Sequence, residues 1–198
     1  MNRTLVEAPP TAPERYTPAN PAVWVFVLSE MSEFAFFFIA FLLVKFLNPE
    51  LFGHGAERLA VWAGFINTLI LITSSWFVAR GVQGMKRNGD RRRTAVWLAL
   101  TLGAALLYCL VKYLEYRWNV EHGVTIRGDL FFSLYYYLTF NHLLHVLIGV
   151  CVIGWALIQT LLGAYDRHHV EGLEGAATYW HMIDLVWILL FPMLYIVG

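Results

Sequence analysis

Apolar residues do not alternate with polar ones along this chain; they fall in five long runs. The runs cover about residues 22–44, 60–79, 94–114, 130–162 and 178–197. A bilayer core about 30 Å thick needs about 20 mostly apolar helical residues to cross it. Each run meets that length, and all are too long for barrel strands. Backbone groups in hydrocarbon must pair within their own segment, so the runs predict helices. The expected fold is all-α: a polytopic membrane protein built as a bundle of five transmembrane helices across residues 22–198. The fourth run is the longest, about 33 residues, which would make a helix near 50 Å long. Gly149 and Gly154 stand alone in it and no proline interrupts it. One long helix that tilts or extends past the membrane is expected, not a hairpin.

The segments between the runs are short. Residues 1–21 carry Pro9, Pro10, Pro13, Pro18 and Pro21 with mixed charges, and are expected to be a disordered or extended tail without the apolar stretch of a signal peptide. Composition agrees with lipid as the solvent. Hydrophobic residues make up 59 % of the chain and charged ones 14 %, against roughly 25 % charged in soluble domains. A formal net charge of zero gives no reason to expect a nucleic-acid partner. Cys109 and Cys151 lie inside apolar runs, where small buried hydrophobes are the default. Basic residues cluster in the loop MKRNGDRRR after the second run. Positive-inside logic then puts the N-terminus in the cytoplasm and the C-terminus on the periplasmic or extracellular side. Arg80, with Arg91, Arg92 and Arg93, is a candidate site for anionic lipid headgroups.

Ionisable residues inside a span are expensive and serve as functional hypotheses by default. Here they come three residues apart: Glu30 and Glu33, Lys112 and Glu115, His142 and His145, His181 and Asp184. Residues so spaced are neighbours on a helix surface. At 1.5 Å per residue, Glu30 lies about 12 Å and Asp184 about 9 Å from the cytoplasmic ends of their spans. His145 comes within about 8 Å of the same surface. Glu30, Glu33, His142, His145, His181 and Asp184 are therefore expected to meet as one buried polar network. Three roles stay open for it: a structural clasp, a proton-buffering or proton-entry site, or a metal site, although the Glu-x-x-His pattern of di-iron bundles is absent. Lys112 and Glu115 are expected to form an interfacial ion pair, the lysine reaching outward. Trp24, Trp62, Trp97, Trp118 and Trp180 fall near span ends, as an aromatic belt would. No catalytic residue and no metal ligand is assigned.

Several of these stretches carry a family pattern. WVFVLSEMSEFAFFF (Trp24 to Phe38) resembles the Ser-Glu helix of cytochrome oxidase subunit III, and FINTLILITSS (Phe65 to Ser75) its next helix. TLGAALLYCLVKYLEY (Thr101 to Tyr116) is similar to the segment that ends in Glu-Tyr. NHLLHVLIG (Asn141 to Gly149) resembles the helix with His-x-x-His-Val and glycine. YWHMIDLVWILLFPMLY (Tyr179 to Tyr195) resembles the C-terminal Tyr-Trp-His signature. The matches occur in order and cover nearly everything beyond the tail.

The resemblance implies a bundle of helices beside a catalytic haem-bearing subunit, with bound phospholipid. It implies no haem or copper bound by this chain; haem and possibly copper belong to the partner. It also implies a bacterial inner-membrane location, since five spans match the short bacterial version. Within the family, SSWFVARG, KYLEY and LLFPMLY resemble most the NorE-type accessory proteins encoded with nitric oxide reductases. Glu30 matches a buried carboxylate associated in the family with carbodiimide reactivity and sustained proton uptake; Glu33 is an additional carboxylate. The implied role is a non-catalytic subunit that stabilises a cytochrome oxidase or nitric oxide reductase, holds lipid and supports proton uptake. A stand-alone membrane metalloenzyme and a proton-conducting transporter are the alternatives.

Overall fold

The computed structural model describes residues 19–197. Most of the expected extended tail, residues 1–18, lies outside the described residues. Its last three residues, 19–21, lie within them. Asn20 caps the first helix, its side-chain oxygen accepting from the Ala22 N–H at 2.9 Å. Pro21 takes the first helical position, where a missing N–H costs nothing.

The described residues form helices α1 (Pro21–Leu47), α2 (Pro49–Gly55), α3 (Val61–Asn88), α4 (Arg91–Glu121), α5 (Leu130–Leu162) and α6 (Glu171–Tyr195), with a 3-10 turn at Ala56–Arg58 after α2. Five of these, all but α2, are long and apolar enough to cross a membrane, as the five runs predicted. The fourth run is a single unbroken helix.

Several helices outrun their apolar stretches. α3 continues from the expected end at Ala79 to Asn88, and α4 begins at Arg91 and reaches Glu121. Apolar length reports membrane thickness, whereas a helix ends where the backbone is made to stop. Gly89 does this for α3 with φ +64°, a left-handed conformation that a side chain rarely adopts. Asp90 then caps α4 by accepting from the Arg93 N–H at 3.1 Å. Gly163, φ +81°, ends α5 in the same way. In the loop that follows, Asp166 accepts from the N–H groups of His168 and His169 at 2.7 and 2.8 Å. Those donors, the His168 N–H first, pull its carboxyl down to about 2.

α3, α4, α5 and α6 close into a ring, each touching the next, and α1 packs on α6 from outside. Small residues bring the helices close. Gly149 on α5 lies under Trp180 and Ile183 of α6, and Gly64 on α3 lies under Phe191 and Tyr195. Thr94 donates from α4 to the Gly81 carbonyl of α3 at 3.1 Å. α6 is thereby the most enclosed of the spans, and α1 the least.

Candidate functional site

The polar residues singled out above occupy three separate places, not one network. The reason is azimuth. Positions three apart on a helix differ by about 60° around its axis, so the two members of a pair reach different neighbours.

The first place joins α1 to α5. The His145 Nε2 lies 2.6 Å from Glu30 Oε2, and its Nδ1 lies 2.8 Å from the Asn141 carbonyl. A carbonyl only accepts, so Nδ1–H is the donor there. The remaining contact then holds one proton, either on imidazolium facing carboxylate or on carboxylic acid facing neutral imidazole. Both forms are neutral as a pair, which suits a low-dielectric setting. The Phe34 ring closes over His145 with centroids 5.0 Å apart. Glu33 is not part of this site: it points outward from α1 and is exposed.

His142, one turn away, turns inward and is fully buried. Its Nε2–H donates to the Ile183 carbonyl of α6 at 3.2 Å, and its Nδ1 accepts from the Tyr108 hydroxyl of α4 at 3.1 Å. Both ring nitrogens are committed, so His142 is a neutral rivet between three helices.

The second place lies where α4, α5 and the end of α6 meet. Lys112 and Glu115 do pair, Nζ to Oε2 at 3.2 Å, but neither reaches outward: Lys112 has no exposed surface. Its charge is met within the bundle instead. Nζ also donates to the Tyr195 hydroxyl at 2.8 Å and sits 5.1–5.5 Å from the ring centres of Tyr116, Tyr135, Trp187 and Tyr195. Ring faces attract a desolvated cation. The other Glu115 oxygen accepts from the hydroxyls of Tyr135 and Tyr195, each at 2.5 Å. The sequence showed the Lys-Glu spacing; the tyrosines that enclose it come from distant positions and carried no local signal.

The third place is the seam between α3 and α6. His181 Nδ1 and Ser75 Oγ lie 2.5 Å apart, Lys86 pairs with Glu174, and Asp184 is buried. Glu174 also accepts from the Ala19 N–H at 3.0 Å. Trp180 is part of this core, not of a surface belt; its indole N–H donates to Ser74 Oγ at 3.0 Å. Among the described residues no three His, Cys, Asp or Glu side chains converge as a metal-ligand set.

The arginines lie at one end of the bundle. Arg80 stacks over Trp76 at 5.8 Å, Arg91 donates to the Tyr165 carbonyl at 3.3 Å, and Arg93 pairs with Asp90 at 3.4 Å. Arg91 and Arg92 stand at a groove of about 510 Å³ whose floor includes Ala95, Ala99, Leu157 and Leu161.

Across residues 18–198 the chain matches the family described as cytochrome c oxidase subunit III. It belongs to that family. Cytochrome c oxidase subunit 3 of Synechocystis is 33 % identical over 175 residues, covering 88 % of this chain and 73 % of the relative. The Sus scrofa subunit 3 is 30 % identical over 179 residues, 86 % of this chain and 66 % of its own length. The heme-copper oxidase subunit I+III of Aeropyrum pernix is 31 % identical over 183 residues, 89 % of this chain but 22 % of that longer polypeptide. As a member of the subunit III family with five spans, the chain is a multi-pass membrane protein.

Proposed function

We propose that this chain is the non-catalytic third subunit of a respiratory haem-copper-type oxidoreductase, seated beside the haem-bearing catalytic subunit. The observation that carries this is the Aeropyrum relative, in which the matching stretch belongs to one polypeptide named for both subunits I and III. A stretch fused to subunit I in one protein works beside it at equal stoichiometry.

The geometry supports the role of a rigid companion. The clasps at Glu30–His145, His142 and Lys112–Glu115 tie α1, α4, α5 and α6 together through buried polar contacts, which fix helix register where apolar attraction between helices is weak. A firm bundle keeps a partner's adjoining helices in place during turnover. The Glu30–His145 contact sets an acid against an imidazole at 2.6 Å, which is the basis for a part in proton uptake. Arg91 and Arg92 above an apolar groove offer cation and acyl-chain contacts to an anionic phospholipid. The resemblance of SSWFVARG, KYLEY and LLFPMLY to NorE-type proteins keeps a nitric oxide reductase beside a cytochrome oxidase as candidate partner.

Affinity capture of the tagged chain from native membranes in mild detergent tests the assignment. A haem-bearing membrane protein is expected in equal amount, and its haem spectrum and substrate identify the branch. Glu30→Ala should leave membrane insertion intact but shorten the active lifetime of the complex several-fold. Recovery of the wild-type chain as a uniform species with no haem protein attached sinks the proposal.

A further inference from the structure

We propose that the seam between α3 and α6 is a water-filled inlet through which Asp184 exchanges a proton with the membrane surface at the α3–α4 turn. The seam holds a groove of about 390 Å³ lined by Ala79, Gln83, Lys86, Glu174, Thr178 and His181 among others. Five of its eight lining residues carry polar or charged side chains; Ala79, Val82 and Ala177 complete it. On α6 they recur at spacings of four and three, Glu174, Thr178 and His181, and so form a stripe along one face. Asp184 is the next position inward, about 15 Å along the helix from Glu174.

Asp184 is the end of that stripe and the reason to assign it a function. Its side chain is buried and neither carboxyl oxygen has a hydrogen-bond partner. Two polar groups face it, His181 Nδ1 at 4.0 Å from Oδ2 and the Ser75 hydroxyl, and these two already engage each other. A bare carboxylate in such a place is too costly to persist. Two things relieve it: a proton on the carboxyl, and water arriving along a polar groove roomy enough to hold it. The transfer is simple: hydronium in the groove gives its proton to a carboxylate oxygen and remains as water. The reverse step restores the anion.

The surrounding charges fit this assignment. α3 presents Ser75 and Lys86 to the seam, and α6 presents Glu174 and His181. Glu30 of α1 and His145 of α5 satisfy each other, and His142 of α5 is held by the Ile183 carbonyl and Tyr108. Lys112 and Glu115 of α4 join α6 at Tyr195, about 16 Å further along. Ser75, His181 and Asp184 are not a hydrolytic triad. Serine and aspartate face the same imidazole nitrogen, so the ring has no second nitrogen with which to relay a proton between them.

Infrared spectroscopy of the purified full chain in lipid nanodiscs tests the inlet, whichever partner the chain has. The wild type should show a protonated-carboxyl C=O band that Asp184→Asn removes and that shifts promptly on transfer to D2O. Ala79→Leu, which narrows the groove, should keep the band but slow its shift several-fold. An unchanged band set in Asp184→Asn overturns the proposal, and so does a shift rate that Ala79→Leu leaves untouched. Should Asp184→Asn fail to fold, the exchange rate in Ala79→Leu decides alone.

Discussion

At the scale of single residues, what decides the chemistry is which side chains answer each buried charge. Lys112 shows this most sharply. Its ammonium has exchanged water for one carboxylate, one phenol and the faces of four rings. Breaking such a pair on one side is far worse than replacing both sides, because the survivor stays buried and unpaired. Lys112→Ala should therefore cost about 3–5 kcal/mol, whereas Lys112→Met combined with Glu115→Gln should cost much less. Thermal unfolding in detergent compares the two; equal losses would show that the ion pair is not the element that matters. The spacing of Lys112 and Glu115 was plain in the sequence, but their burial was not. Position along a helix can be counted from the sequence, while rotation about its axis depends on neighbours that arrive from other spans. For the same reason Glu30 and Glu33, read as one face, part company: one meets His145 and the other faces out.

Among the elements, the spans were legible because hydrocarbon thickness enforces a minimum apolar length. The helix α2 was not, since PELFGHG is seven residues with two glycines and leaves no period to read. Nor did apolar runs give the true helix ends, which Gly89, Asp90 and Gly163 set by backbone geometry. Glycines also decide how closely elements approach. A β-carbon at Gly149 would stand 2.8 Å from Ile183 and 2.9 Å from Trp180, while one at Gly154 on the same helix meets nothing within 4 Å. Gly149→Val should thus destabilise the bundle by about 1–3 kcal/mol through overpacking, and Gly154→Val should stay within about 0.5 kcal/mol of wild type. Similar melting curves for the two variants would contradict the close α5–α6 contact.

For the molecule as a whole, the ring of four spans with α1 outside it leaves two distinct ends. One carries the α3–α4 turn with Arg91, Arg92 and Arg93, and from its excess of basic residues we propose that it faces the cytoplasm. In a chain with Cys109 and Cys151 replaced by alanine, Arg92→Cys should react with an impermeant thiol reagent in inside-out vesicles and stay unlabelled in intact cells. The reverse pattern would invert the topology.

The link between Glu30 and His145 spans 115 positions of sequence, and that separation has a consequence for biosynthesis. At translation speeds of about 5–20 residues per second, roughly 6–23 s pass between the synthesis of the acid and that of its imidazole. Throughout that interval the first span is present without the imidazole that its carboxyl meets in the finished bundle. The α1–α5 contact can form only after the fourth run has been made, which places it late in assembly.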